Sequence, residues 1–191
     1  MKRNRLIVGI SGASGAIFGV KLLKTLKETD IETHLVMSKS ANITLMHETD
    51  FTVKEVEALA DKVYPNNDIG ACISSGSFKT TGMVILPCSV KTLAEIASGV
   101  TPNLLSRAAD VILKERKRLV LAVRESPLHL GHIRNMERAT EMGAIIAPPV
   151  PAFYSNPQSI DDIIDHTVGR ILDLFDIEHP LVKRWNGLSA K

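Results

Sequence analysis

The sequence predicts an α/β protein of three layers, a doubly wound parallel sheet with helices on both faces, and three observations lead there. Short apolar runs recur at Leu6–Ile10, Ile31–Met37, Met83–Leu86, Leu119–Val123 and Ala144–Ala147. Segments of helical periodicity stand between them, so strands and helices alternate as in successive strand–helix–strand units. The runs are continuous rather than alternating with polar residues, as in strands covered on both faces.

Leu6, Ile7, Val8 and Ile10 are too few for a stable helix and suit a buried strand. That strand runs into Ser11-Gly12-Ala13-Ser14-Gly15, after which Phe18, Leu22, Leu23 and Leu26 mark a helix over about 15–27. The N–H groups opening that helix point back into the loop and favour an anion. Gly12 and Gly15 leave room for close approach, and Ser11 and Ser14 offer hydroxyls. The spacing is neither Gly-x-Gly-x-x-Gly nor a P-loop, so a mononucleotide fits better than NAD or ATP. A tight turn without a ligand would use the same glycines. Helices are predicted near 40–47 and 52–63. The third strand then leads through Pro87-Cys88-Ser89-Val90-Lys91-Thr92 into a helix over 90–98, with Ser89 as its N-cap. Helices near 103–116, 130–142 and 159–175 complete the pattern. In open sheets of this kind ligands bind beyond the carboxyl ends of the strands. This selects the loops Ser11–Ser14, Ser38–Lys39, Pro87–Thr92, Arg124–Pro127 and Pro148–Tyr154.

The 191 residues, 45% of them hydrophobic, provide for one domain over 1–191 and leave little for a second. The 23 basic and 21 acidic residues are well mixed and aromatics make up 4%, which argues against a nucleic-acid partner. No apolar run approaches the ~20 residues of a membrane span, so a soluble, cytoplasmic protein is expected. Cys72 and Cys88 form no Cys-x-x-Cys pair, and the histidines, His129 and His132 included, lack ligand spacing, so no metal is expected.

Several charged positions invite chemistry. Arg107 and Lys114 fall on nearly one face of a predicted helix, where they either grip a phosphate or join intrahelical pairs such as Asp110 with Lys114. Arg124-Glu125 follows a buried strand directly, so Arg124 suits a phosphate and Glu125 a proton transfer. Glu48, in His47-Glu48-Thr49-Asp50, reads as a base, a ligand-orienting group or a surface helix end. Pro148–Tyr154 exposes two aromatics on a stiff arm, Arg170 follows on the next helix, and Lys183-Arg184-Trp185 carries the only tryptophan. A subunit interface, with a tail over about 176–191 packing on neighbours, accounts for these features.

Taken in order, Ile10-Ser11-Gly12-Ala13-Ser14-Gly15-Ala16, Ser38-Lys39, Glu48-Thr49-Asp50, Pro87-Cys88-Ser89, Arg107-Ala108-Ala109-Asp110, Leu113-Lys114-Glu115-Arg116, Arg124-Glu125 and Pro151-Ala152-Phe153-Tyr154 resemble the UbiX family of flavin prenyltransferases, nearly end to end. The resemblance implies a flavodoxin-like or Rossmann-like subunit in a homo-oligomer, typically a dodecamer. Its implied reaction moves dimethylallyl from dimethylallyl monophosphate to reduced FMN, without a metal, and hands the prenylated FMN to a UbiD-type decarboxylase. It implies FMN contacts at Gly12, Ala13, Ser14, Ser38, Ser89, Val90, Lys91, Thr92 and Arg124. It places the prenyl phosphate at Lys114, Tyr154, Arg170 and Arg107, with Trp185 closing the site from a neighbouring subunit. Glu48, Glu125, Ser14 and Lys114 become the catalytic set. Pro127–Met136 matches the ubiquinone-pathway branch, and Phe78 stands near the place where some members carry a tryptophan. The competing expectations are an FMN-dependent decarboxylase of a cysteine-containing substrate, which needs no second phosphate site, and a non-catalytic flavin carrier.

Overall fold

The computed structural model describes residues 4–182, in which six strands form one parallel sheet. In chain order the strands are β1 (Arg5–Ile10), β2 (Glu32–Met37), β3 (Lys62–Tyr64), β4 (Gly82–Cys88), β5 (Arg118–Val123) and β6 (Ala144–Ile146). The helices are α1 (Ala16–Lys27), α2 (Lys39–Glu48), α3 (Val53–Glu57), α4 (Val90–Ser98), α5 (Leu104–Lys114), α6 (Leu130–Glu141) and α7 (Ile160–Asp173). Residues 183–191 of the expected tail, with Trp185, lie outside the described residues.

Alternate strand residues feed opposite cores, which is why the apolar runs are unbroken. Leu6, Val8 and Ile10 pack with Leu22, Leu26, Leu45, Val168 and Leu172 on the face covered by α1, α2 and α7. Ile7, Met83, Ile85 and Leu121 pack with Leu93, Leu105, Ile112 and Ala139 on the face covered by α4, α5 and α6. The sheet therefore separates α5 from α7.

The strand order is β3-β2-β1-β4-β5-β6. Without β3 the order is that of flavodoxin-like sheets; with it the order is the Rossmann one, and in both the winding reverses between β1 and β4. The helix predicted over 52–63 is corrected here. It ends at Glu57, capped at its start by the reciprocal Thr52–Glu55 bonds, and the chain then enters β3. Asp61 draws the chain beside β2: its carboxylate accepts the Thr33 N–H at 2.8 Å and the Thr33 hydroxyl at 2.9 Å, while Asp61 N–H donates back to that hydroxyl oxygen. Three residues are too few to announce a strand by periodicity. Among the described residues no helix is long and apolar enough to cross a membrane.

Candidate active site

Four loops at the carboxyl ends of β1, β2, β4 and β5 enclose a cavity of about 450 Å³ at the reversal point, within the roughly 300–1,000 Å³ of ligand pockets. Gly12, Ala13 and Ser14 line it from the first loop, Ser38 from the second, Ser89, Val90, Lys91 and Thr92 from the third, and Arg124 and Glu125 from the fourth. Every residue that the resemblance assigns to FMN thus meets in one place.

Caps explain two of these walls. Ser38 accepts the Ala41 N–H at 3.0 Å and Ser89 accepts the Thr92 N–H at 3.2 Å, so α2 and α4 both begin on the cavity with first-turn N–H groups left for an anion. The third helix end differs from the sequence expectation. At the start of α1 the anion is internal: Glu48 Oε2 accepts the N–H groups of Gly15 at 2.8 Å and Ala16 at 3.2 Å. Burial alone would raise the Glu48 pKa, but hydrogen bonds from the Ser14 hydroxyl and from these two N–H groups, with the Arg124 charge, outweigh it and hold the carboxyl below its ordinary value. A ligand phosphate at this cavity accordingly falls to the α2 and α4 ends.

The glycine-serine turn is also built differently from its expectation. A Cβ on Gly12 would lie 2.3 Å from Ser40 Cβ, so the space at Gly12 is used by the first turn of α2. Gly15 has φ +100, a left-handed conformation. Ser11 is buried, and its hydroxyl donates to the Pro87 carbonyl at 3.0 Å while accepting the Ser89 N–H at 2.7 Å. It therefore ties the β1 loop to the β4 loop and is not a ligand donor. Ser11→Ala is expected to lower stability by about 1–3 kcal/mol, because the part-buried Ser89 N–H and the Pro87 carbonyl both lose their partner in the buried Ser11 hydroxyl. A urea midpoint equal to that of the unmodified chain would refute that role.

Cys88 is fully buried, and burial pushes its thiol pKa up, as befits a core side chain. Glu125 accepts the N–H of Ser126 at 2.9 Å from the cavity rim. The loop Ser38–Lys39 selected from the sequence brings Lys39 into the wall, whereas sequence reasoning missed Ser40, Asn66, Glu95, Asn103 and Leu105. Asn66 arrives there through contacts far along the chain, its side-chain oxygen accepting the Leu105 N–H at 3.0 Å and its carbonyl the Leu104 N–H at 2.8 Å. Glu95 carried a local signal, since it lies four residues beyond Lys91 and pairs with it at 2.5 Å.

The residues expected at the prenyl phosphate are not gathered. None of Arg107, Lys114, Tyr154 and Arg170 lines this cavity. Arg107 pairs with Asp110 at 2.6 Å and Lys114 with Glu115 at 2.5 Å, so the suggested Asp110–Lys114 pair is corrected. Gly76 lies against that second pair, where a Cβ would be 2.2 Å from Glu115 Oε1. Arg170 lines a separate cavity of about 280 Å³ beside α7, and Tyr154 bonds to His166 in the wall of that cavity. Phe78, partly buried, packs edge-on against His34, with ring centres 4.9 Å apart, at the margin of the core on the α5 side.

Residues 1–179 match the Flavoprotein family. The flavin prenyltransferase UbiX of Escherichia coli strain K12 is 64% identical over 186 residues, covering 96% of this chain and 98% of the relative. The chain belongs to the UbiX family of flavin prenyltransferases. Solved structures agree with that membership. The crystal structure of AnUbiX (PadA1) in complex with FMN and dimethylallyl pyrophosphate superposes with a TM-score of 0.97 at 53% identity, covering 98% of this chain and all of that one. A dodecameric FMN-dependent UbiX-like decarboxylase from Escherichia coli O157:H7 gives 0.94 at 51% identity, covering 96% of this chain and all of that one.

Proposed function

We propose that the chain transfers a dimethylallyl group from dimethylallyl monophosphate to N5 and C6 of reduced FMN, yielding prenylated FMN for a UbiD-type decarboxylase in the cytoplasm. The convergence of Gly12, Ala13, Ser14, Ser38, Ser89, Val90, Lys91, Thr92 and Arg124 on one cavity carries this reading. FMN binds at that cavity, its phosphate met by the first-turn N–H groups of α2 or α4. AnUbiX, with its FMN and dimethylallyl pyrophosphate, supports both the flavin and the phosphorylated allyl donor.

The allylic C–O bond breaks with its electron pair leaving on phosphate, while flavin N5 forms the new bond to carbon and releases its own proton to the departing phosphate. Ring closure at C6 then adds a proton to the prenyl double bond and removes one from C6. Glu48, held ionised by the α1 end and the Arg124 charge, takes in this reading the roles of proton acceptor and of counter-charge to developing allylic cation character. Tyr154, Arg170, Lys114 and Arg107 neutralise the leaving phosphate. One subunit cannot bring them to one phosphate, because α5 and α7 cover opposite faces of the sheet. The donor site is therefore shared between subunits of an oligomer, in keeping with the dodecameric relative.

The match of Pro127–Met136 to one branch of the family supports a role in ubiquinone biosynthesis. Flavin extracted after anaerobic turnover is expected to activate a UbiD-type apo-decarboxylase, whereas FMN treated identically without the allyl donor is not. Equal activation by both, or by neither, would contradict the proposed hand-over.

A further inference from the structure

We propose that Asn66 donates its side-chain amide N–H to the phosphate of FMN and so adds to a preference for FMN over riboflavin. The proposal rests on the reading that FMN fills the cavity with its reacting ring toward Glu48 and Arg124. Four helices, α1, α2, α4 and α5, begin at or beside that cavity, and two of them are already closed. Glu48 takes the N–H groups that open α1. At the start of α5, Asn66 accepts the Leu104 N–H through its carbonyl at 2.8 Å and the Leu105 N–H through Oδ1 at 3.0 Å, while Asn103 Oδ1 accepts the Ser106 N–H at 3.1 Å. The start of α5 thus offers a ligand nothing of its own, and the donor on this side of the cavity is the Asn66 amide.

The bond to Leu105 gives that amide its direction. A backbone N–H only donates, so the side-chain atom facing Leu105 is the oxygen, and the planar amide turns its nitrogen away from α5. Asn66 is half-buried and lines the cavity, and among the described residues its Nδ2 has no hydrogen-bond partner. Sheet order selects the ligand atom. Arg124 follows β5 and Asn66 follows β3, on opposite flanks of the β1–β4 reversal. With the flavin ring at Arg124, the ribityl chain carries the phosphate toward the other flank, where α2 opens under its Ser38 cap and Asn66 enters the same wall. Glu95 in that wall does not oppose the phosphate with a free charge, because its oxygens are taken by Lys91 Nζ and Asn103 Nδ2.

The test is a fluorescence titration of the flavin-free full chain with FMN and, separately, with riboflavin. The unmodified chain should bind FMN more tightly. Asn66→Asp keeps an oxygen for the Leu105 N–H and suits the start of a helix, but it removes the donor and sets a negative charge toward the phosphate. It is expected to raise the Kd for FMN by about 10- to 100-fold, as for loss of a hydrogen bond to a charged group, and to leave the Kd for riboflavin near that of the unmodified chain. Asn66→Ala removes the donor without adding charge and should weaken FMN less, again sparing riboflavin. Unchanged FMN affinity in Asn66→Asp would make Asn66 a cap of α5 alone and overturn the proposal, while FMN binding at the cavity would stand. Equal weakening of both flavins would overturn it as well, moving the contact to the ring or the ribityl chain. An unmodified chain that binds riboflavin as tightly as FMN would instead remove the phosphate site on which the proposal rests. Should Asn66→Asp fail to fold, Asn66→Ala decides by the same comparison of the two flavins.

Discussion

Glu48→Gln is expected to bind FMN nearly as the unmodified chain does and to lose prenyl transfer by roughly 10²- to 10⁴-fold, the range for loss of a positioned acid–base group. The amide oxygen of glutamine still accepts the N–H groups of Gly15 and Ala16, so the start of α1 keeps its cap. What disappears is the negative charge beside Arg124 and the capacity to take a proton. Single-turnover formation of prenylated flavin, read against FMN affinity, separates these effects. Transfer at the normal rate would show Glu48 to be a helix cap alone. An acid titration adds a second readout. A carboxyl whose folded pKa lies below its unfolded value of about 4.3 contributes stability that is fully present above the unfolded value and is lost as pH falls through the folded one. The stability difference between the unmodified chain and Glu48→Gln should therefore shrink as pH falls through that window, and a constant difference would contradict the lowered pKa.

Mixed oligomers give the other large expected effect. Lys114→Ala and Arg170→Ala should each depress transfer by about 10²- to 10³-fold, as for removal of one group that stabilises transition-state charge. Lys114 ends α5 and Arg170 lies on α7, with the sheet between them. If one donor site takes Lys114 from one subunit and Arg170 from another, random co-assembly of the two variants leaves about a quarter of the sites with both residues. Co-expressed variants should thus regain about a quarter of the unmodified activity, although neither is active alone. Mixed assemblies as inactive as their parents would place both groups on the same subunit's site and contradict the opposed-face account.

These expectations draw on features of very different visibility in the sequence. The apolar runs at Leu6–Ile10 and Leu119–Val123 announce strands because burial on both faces leaves no polar alternation. Ser38, Ser89, Asn103 and Ser159 announce helix starts because each cap bonds to an N–H only three residues on. The cavity wall was legible to the same extent, since loops after parallel strands must converge at the winding reversal. Long-range pairings were not. Nothing near Glu48 reveals that its carboxylate caps a helix 33 residues earlier, and nothing near Ser11 reveals its two partners around Pro87. Gly12 reads in the sequence as room for a ligand, but that room is filled by Ser40 in the first turn of α2. The separation of Lys114 from Tyr154 and Arg170 depends on which face each helix covers, a choice that helical periodicity within either segment does not encode.

The central claim is most directly tested by incubating the protein anaerobically with reduced FMN and dimethylallyl monophosphate and weighing the extracted flavin by mass spectrometry. A gain of one C5 prenyl unit, with matching release of inorganic phosphate, is the predicted result. Unmodified FMN with the allyl phosphate intact would contradict it, and carbon dioxide released from a cysteine-ended peptide under the same conditions would replace it with the decarboxylase alternative.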